Sequence, residues 1–172
     1  MYDDNHEFAE GFLARSHYSE CHICHLYHDG PCPTTNEVAF VKWRNSKHFD
    51  SGKYLYNYWF ARSHVQDTKK LVLVESCGNV WKLVENDLPY CMGLFGRKLT
   101  LNQELIISRL GVHYIYLLLD NDEAGKSATK TLHDRLHRRF NIKTVEFTNY
   151  NDVGEMPNSF IKDRIVSQIE HA

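Results

Sequence analysis

The sequence lacks several features that would assign it to a function class at once. Its formal net charge is −2 at neutral pH, so no basic excess indicates nucleic-acid binding, and any attraction to phosphate must come from local groups or a bound cation. No apolar run approaches the roughly 20 residues that a bilayer-spanning helix needs. The first residues are acidic where a signal peptide is basic, so we expect a cytoplasmic protein with no membrane partner.

Internal repeats, low-complexity tracts and long linkers are also absent. With 172 residues, 42% of them hydrophobic, the chain can bury one sizeable core and a small annex, but not two full domains. The sequence changes near Lys69 and Lys70: His, Tyr and Trp are frequent before this point, and apolar runs alternate with amphipathic stretches after it. We therefore expect an N-terminal subdomain over residues 1–69 and a main domain over residues 70–172.

Apolar runs followed by helical periodicity predict a parallel α/β sheet in the main domain. Strands are expected at residues 71–74, 90–95, 114–119 and 143–147, and helices around residues 80–84, 100–110, 123–140 and 157–169. The first and third strands are apolar enough to be buried on both faces, as central strands of a parallel sheet are. This alternation is typical of a mostly parallel sheet flanked by helices. Trp43, Trp59 and Trp81 are expected to lie in the core.

Acidic residues follow the first, third and fourth of these strands. Glu75 ends the first run, Asp120 and Asp122 follow the third, and Asp152 and Glu155 follow the fourth after a short loop. Ligands of open parallel sheets bind at the carboxyl ends of the strands, and carboxylates gathered there repel one another unless a cation lies between them. Mg²⁺ or Mn²⁺ suits such oxygen ligands, so the pattern predicts metal-dependent phosphoryl chemistry. Helix capping by each acid separately is the alternative.

Three cysteines and a histidine follow the spacing Cys21-x2-Cys24-x3-His28-x3-Cys32. Thiolates and imidazole are the ligands that structural Zn²⁺ binds as a tetrahedron, so we expect a zinc-knuckle-like insertion in a mixed N-terminal subdomain. Without a signal peptide, these cysteines fit a reducing compartment better than a disulfide framework. Free thiols and surface histidines are the alternative. Competing donors are His17, His22 and His25.

The acidic strand ends resemble those of the Toprim family. Residues 71–75 (LVLVE) are similar to the apolar Toprim strand that ends in glutamate, and residues 118–126 (LLDNDEAGK) are similar to the strand that ends in Asp-x-Asp, in the version found in DnaG-type primases of bacteria and phages. The resemblance implies a Rossmann-like Toprim fold with a Mg²⁺ site. It assigns metal binding and catalysis to Glu75, Asp120, Asp122 and Asp152, with Glu75 as general acid/base or as an additional ligand.

The resemblance extends upstream through shorter motifs. Residues 11–15 (GFLAR) are similar to a primase strand that ends in arginine, residues 42–46 (KWRNS) resemble a Lys-Tyr-Leu-Asn-Ser segment, and Lys53 stands where these enzymes carry another lysine. It implies that Arg15, Lys42, Asn45 and Lys53 contact nucleotide or template phosphates. Solvated surface cations are the alternative. One departure is Asn79, which stands where family members usually carry an aspartate.

The activity that the resemblance implies is RNA primer synthesis. Its substrates would be NTPs and a single-stranded DNA template, and a replicative helicase is a further candidate partner. Two alternatives stay open: a Toprim nuclease that hydrolyses DNA or RNA, and a non-catalytic DNA-binding or recombination-mediator module, for which the uncharged Asn79 and the short chain leave room. The residues alone support only Mg²⁺-dependent phosphoryl chemistry.

Overall fold

The computed structural model describes residues 49–170, together with the strand residues 19–20 and 27–28. The chain divides into two compact units, Met1–Asp50 and Ser51–Ala172. In the first unit, β1 (Ser19–Glu20) pairs with β2 (Tyr27–His28) in the antiparallel sense. The second unit contains the sheet that positions the predicted acidic residues.

Strands and helices alternate from residue 70 onward, as predicted, and a helix that the sequence did not predict precedes them. The α-helices are α1 (Tyr58–Thr68), α2 (Cys77–Val84), α3 (Leu101–Arg109) and α4 (Glu123–Leu136), and the strands are β3 (Lys70–Val74), β4 (Cys91–Gly93), β5 (Tyr114–Leu117) and β6 (Asn141–Thr144). A last helical run comprises Asn158–Phe160, a π-helical stretch Ile161–Val166, and Ser167–Glu170, and 3-10 turns occupy Ser51–Lys53 and Val153–Glu155. Of the helices in the described part of the chain, none has both the length and the apolar character that crossing a membrane requires.

The four strands form a parallel sheet in the order β4-β3-β5-β6. This order confirms the predicted mostly parallel α/β sheet. Val74 pairs with Gly93 and Leu73 pairs with Leu117, so the strands end at a common edge. The chain continues from β3 to one side and from β5 to the other, and ligands of open sheets bind at such a switch point. The residues that follow β3 and β5 therefore meet where a site is expected.

The core lies around β3 and β5. Residues 71–74 and 115–118 are almost completely buried, because both strands are central in the sheet and are covered by helices. The helices contribute Val65, Val80, Leu83, Ile107, Leu132, Leu136, Ile161, Ile165 and Ile169 to this core. The strand β6 differs: it lies at the edge of the sheet and is mostly exposed, and it begins at Asn141 rather than at residue 143 as predicted.

Two tryptophans expected in the core lie at the surface. Trp59 is 56% exposed and stacks against the Arg62 guanidinium on α1. Trp81 is 45% exposed, and its indole N–H donates to the Tyr56 hydroxyl at 2.5 Å. Each indole ring has a polar or cationic partner at the surface. The large apolar area of a tryptophan therefore does not by itself place the residue in the core.

Candidate active site

Glu75 follows β3 directly and is 6% exposed. Its carboxylate accepts one hydrogen bond from the backbone N–H of Asp120, at 3.2 Å, and one from Nε of Arg97, at 3.0 Å. A buried carboxylate needs such donors, because its desolvation is otherwise unfavourable. These contacts place the Glu75 side chain against the end of β5 and against the loop that follows β4.

Asp120 and Asp122 lie at the junction between β5 and α4. Asp122 caps the helix: its Oδ1 accepts from the Gly125 N–H at 2.6 Å, and its Oδ2 accepts from Nη2 of Arg97 at 2.7 Å. The carboxylate of Asp120 accepts from the side-chain amide of Asn79 at 3.4 Å. Asn79 is buried and supplies a hydrogen bond to the acidic residue without adding a charge.

Gly125 allows α4 to begin this close to Asp120. A Cβ atom at position 125 would lie 2.0 Å from the carbonyl oxygen of Asp120, far inside the distance that real Cβ atoms keep from backbone. Any larger residue must therefore move either the helix or the Asp120 backbone. This close approach explains why a glycine stands three residues into the helix in the DNDEAGK string.

Asp152 is brought to the same edge by the loop that follows β6. Asn121 holds this loop: its backbone N–H donates to the Asn151 carbonyl at 2.7 Å and its side chain donates to the Tyr150 carbonyl at 3.3 Å. Asp152 caps the 3-10 turn through the N–H of Glu155 at 3.2 Å. The Glu155 carboxylate accepts a hydrogen bond from the backbone N–H of Asn151, which lowers the Glu155 pKa. This carboxylate therefore binds within its own loop.

The four carboxylates of Glu75, Asp120, Asp122 and Asp152, which we call the acidic edge, influence one another electrostatically. The pKa of Asp120 is raised to about 6, first by burial and then by the charges of Glu75, Asp152 and Asp122, whereas the charge of Arg97 lowers it. The Arg97 guanidinium contacts Glu75 and Asp122 and interacts with the charge of Asp120, so one positive charge stands among several carboxylates and negative charge is in excess at the carboxyl ends of β3 and β5. The structure thus brings together the four acids that the sequence singled out.

The chemistry of this donor set fits a divalent cation. Carboxylate oxygens are the ligands that Mg²⁺ prefers, and a positive group already bridges two of them, since Arg97 contacts both Glu75 and Asp122. Within residues 49–170, however, no three acidic, thiol or imidazole side chains are arranged closely enough to hold a metal ion as they stand. Asp122 and Asp152 each use one oxygen as a cap, and Arg97 occupies the space between the two strand ends.

Comparison with known proteins identifies the fold around this edge. Residues 72–156 match the family model described as Toprim-like. This stretch begins within β3 and includes all four acids of the acidic edge. The chain contains a Toprim-like domain.

Relatives of the Toprim-like domain are DNA primases. The chain is 28% identical to a DNA primase of Chlamydia pneumoniae over 86 residues, which are 50% of this chain and 15% of the relative. It is 24% identical to a DNA primase of Aquifex aeolicus over 124 residues, which are 72% of this chain and 24% of the relative. The chain thus spans about a quarter or less of the length of these curated relatives.

A solved structure shares the fold of the Toprim-like domain. It is the DnaG primase catalytic domain bound to single-stranded DNA, with a TM-score of 0.62 and 20% sequence identity. The match covers 76% of this chain and 43% of that chain. At this identity the likeness establishes the fold and leaves the activity to be tested.

Lys53 lies in a turn that is tied to the Toprim-like sheet. The buried side chain of Gln103 donates to the carbonyls of Ser51 and Tyr54, at 3.2 and 2.8 Å, and to the carbonyl of Leu94 just after β4, at 3.1 Å. These bonds fix the turn Ser51–Lys53 relative to the carboxyl end of β4. The Lys53 side chain is exposed, and its predicted contact with phosphate stays a prediction.

The other predicted binding residues fall outside the described part of the chain. Arg15, Lys42 and Asn45 are among them, as are the proposed zinc ligands Cys21, Cys24 and Cys32. Only the backbone of His28 is described, as part of β2. The zinc site and the upstream phosphate contacts therefore stay predictions.

Two residues that the sequence analysis missed help to build the acidic edge. Arg97 follows the predicted strand 90–95, which is the one predicted strand without an acidic residue after it. That position was the only feature of the sequence that could indicate a role for Arg97. Asn121 stands at the unspecified position of Asp-x-Asp, yet it anchors the loop that carries Asp152. Both act through contacts between segments far apart in the chain.

Two cavities flank the loop 146–148 of the Toprim-like domain. One, of about 330 Å³, opens beside Asp120 and is also lined by Asn121, Lys126 and Thr129. The other, of about 590 Å³, lies between this loop and the last helical run, and none of the acidic-edge residues lines it. The smaller cavity therefore adjoins the acidic edge, through Asp120.

Proposed function

We propose that the Toprim-like domain is the catalytic part of a primase-like nucleotidyltransferase. It would join ribonucleotides on a single-stranded DNA template and would require Mg²⁺ or Mn²⁺. The observation that carries this proposal is the convergence of Glu75, Asp120, Asp122 and Asp152 at one edge of the sheet. The relatives named DNA primase, and the neighbour in structure that is bound to single-stranded DNA, support the choice of substrates.

In this proposal Asp120 and Asp122 hold the cation, Asp152 completes the site, and Glu75 acts as general acid/base or as a further ligand. A divalent cation bound there supplies neutralisation of phosphate charge and activation of the attacking oxygen. The remaining task of the chain is positioning. One oxygen of Glu75 accepts from the Asp120 backbone, and Asn79 orients the Asp120 carboxylate.

Phosphate recognition must come from basic or polar side chains other than the four carboxylates, because the carboxylates repel a triphosphate. Lys53 is one candidate, with Arg15, Lys42 and Asn45 as the others that the family resemblance implies. Lys126 lines the cavity beside Asp120. The volume of this cavity, about 330 Å³, is in the range of small-molecule pockets. This cavity has room for part of a nucleotide next to the catalytic carboxylates.

The direct test incubates the full chain with Mg²⁺, single-stranded DNA and labelled NTPs. Short RNA products that depend on the template are expected, and they should disappear in Asp120→Asn. The matched control is Glu104→Gln, which removes a carboxylate from a different cluster of the same domain. It should leave synthesis per folded molecule intact.

Two outcomes would contradict the primase proposal. Shortened DNA without RNA products would indicate the nuclease alternative. Binding of single-stranded DNA with neither reaction, in Mg²⁺ and in Mn²⁺, would indicate the non-catalytic alternative. In that case Asp120→Asn should also leave the biological function intact.

A further inference from the structure

Arg97 lies at the position that a cation bound by the acidic edge would be expected to take. Its Nε donates to Oε2 of Glu75 at 3.0 Å, and its Nη2 donates to Oδ2 of Asp122 at 2.7 Å. The two carboxylates follow different strands, β3 and β5. The guanidinium therefore bridges the strand ends at which the proposed metal ligands meet.

The Arg97 side chain can leave this position while its backbone stays. The preceding Gly96 is fixed by its N–H, which donates to the Glu75 carbonyl at 3.0 Å, so the loop after β4 is tied to the sheet. The Arg97 side chain beyond it is long and 42% exposed. Moving the guanidinium requires only side-chain rotation into solvent, whereas moving the loop would break a backbone hydrogen bond.

Arg97 and a divalent cation compete for the same oxygen atoms. Glu75 is 8% exposed at its side chain, so without a metal ion it needs a positive partner, and Arg97 supplies it. A metal ion ligated by Glu75 and Asp122 would take the oxygens that now face the guanidinium. Sharing these oxygens is unfavourable, because the guanidinium and the metal ion repel each other at contact distance.

We propose that Arg97 is a resident counter-ion that a divalent cation displaces, and that the released guanidinium then binds a phosphate oxygen of the incoming nucleotide. A guanidinium fits phosphate as well as carboxylate, because both accept two parallel hydrogen bonds. No covalent bond changes in this exchange. The exchange has two halves. Displacement of the guanidinium by a metal ion, the metal half, requires only the acidic edge, whereas binding of the released guanidinium to phosphate, the phosphate half, rests on the proposed primase function.

The metal half is tested by Mn²⁺ binding to the full chain, measured by calorimetry without nucleotide. Arg97→Gln removes the competing charge and should bind Mn²⁺ about tenfold more tightly, the size of effect that one nearby charge has on proton binding. Arg97→Lys keeps a cation and should remain close to wild type. Arg62→Gln makes the same change in net charge at a side chain that stacks on Trp59, and it should have little effect. Unchanged or weaker Mn²⁺ binding in Arg97→Gln would overturn the proposal.

A measurement on the wild-type chain covers the case in which Arg97→Gln does not fold. In an NMR titration with Mg²⁺, the Nε–H resonance of Arg97 should move and exchange faster with water as the guanidinium leaves Glu75. A resonance that is unchanged at saturating Mg²⁺ would show that the guanidinium stays, and would exclude displacement.

The phosphate half is tested by binding of a fluorescent NTP at saturating Mn²⁺. Arg97→Gln should bind the nucleotide about tenfold more weakly, even though it binds the metal more tightly. Opposite shifts of the two affinities support the exchange, and an unchanged nucleotide affinity overturns its second half. If both shifts are seen in a chain that makes no RNA, the primase proposal fails while the exchange stands.

Discussion

Two clusters of the domain each place a buried glutamate against arginine, with opposite charge balance. Glu104 on α3 meets two guanidinium groups, Arg135 at 2.5 Å and Arg139 at 2.8 Å. Glu75 shares the single guanidinium of Arg97 with the other acids of the acidic edge. Positive charge therefore exceeds negative charge at Glu104, and negative charge exceeds positive charge at Glu75.

This difference separates a structural ion pair from a candidate site. The Glu104 cluster joins α3 to α4, and its arginines also donate to the Leu99 carbonyl and to the Ser108 hydroxyl, so its polar groups find partners within the fold. The acidic edge keeps carboxylates whose mutual repulsion the fold does not relieve. Such an excess of one sign is expected where a further ion or ligand completes the cluster.

Removing one charge from the acidic edge should have the largest effect on activity. Asp120→Asn keeps the shape of the side chain but removes a proposed metal ligand, so template-dependent RNA synthesis should fall by about 100-fold or more, or about 3 kcal/mol of transition-state stabilisation. Gel analysis of primer products measures this. Retained synthesis would show that the acidic edge is not the catalytic centre.

A glycine pair tests how the acidic edge is held. Gly125→Ala should destabilise the fold by about 2 kcal/mol, because the new methyl group overlaps the Asp120 backbone. Gly78→Ala is the matched control in α2, where the nearest atom lies 3.8 Å from the added Cβ and alanine favours the helix. Urea unfolding of both variants measures the difference. Equal stability would show that α4 can move away from Asp120 freely.

Removing the charge of Glu104 should weaken the fold and spare the reaction. In Glu104→Gln the two arginines lose their carboxylate partner, and a loss of about 1–2 kcal/mol in unfolding free energy is expected, since both guanidinium groups remain partly in water. Denaturation without divalent ions measures it. If Glu104→Gln is instead as stable as wild type, the cluster does not hold α3 to α4.

The sequence predicted the sheet and the convergence of its acids because both follow from local patterns. Residues 71–74 and 114–117 form short continuous apolar runs, which are typical of central strands in a parallel sheet. Parallel strands end at one edge, so acids placed directly after them must meet. The start of β6 was misplaced because its exposed residues give no apolar pattern.

The contacts of Arg97 and Asn121 could not be predicted in the same way. Arg97 reaches Glu75 and Asp122 from a loop, and nothing in its neighbouring residues specifies where a long flexible side chain ends. Asn121 binds a loop that is thirty residues further along the chain. Both contacts depend on the assembled sheet, so they appear only in three dimensions.

The smallest expected effect is a pH dependence of stability that the acidic edge causes without metal. The pKa of Asp120 is raised from 3.8 to about 6 when folded, so the folded chain retains a proton that the unfolded chain has lost. This stabilisation is complete below about pH 4 and is lost as the pH rises through 6, by about 1 kcal/mol after allowance for solvent screening. Urea unfolding in EDTA at pH 5 and pH 7 should show the loss in wild type and not in Asp120→Asn. The same loss in both chains would place its origin outside Asp120.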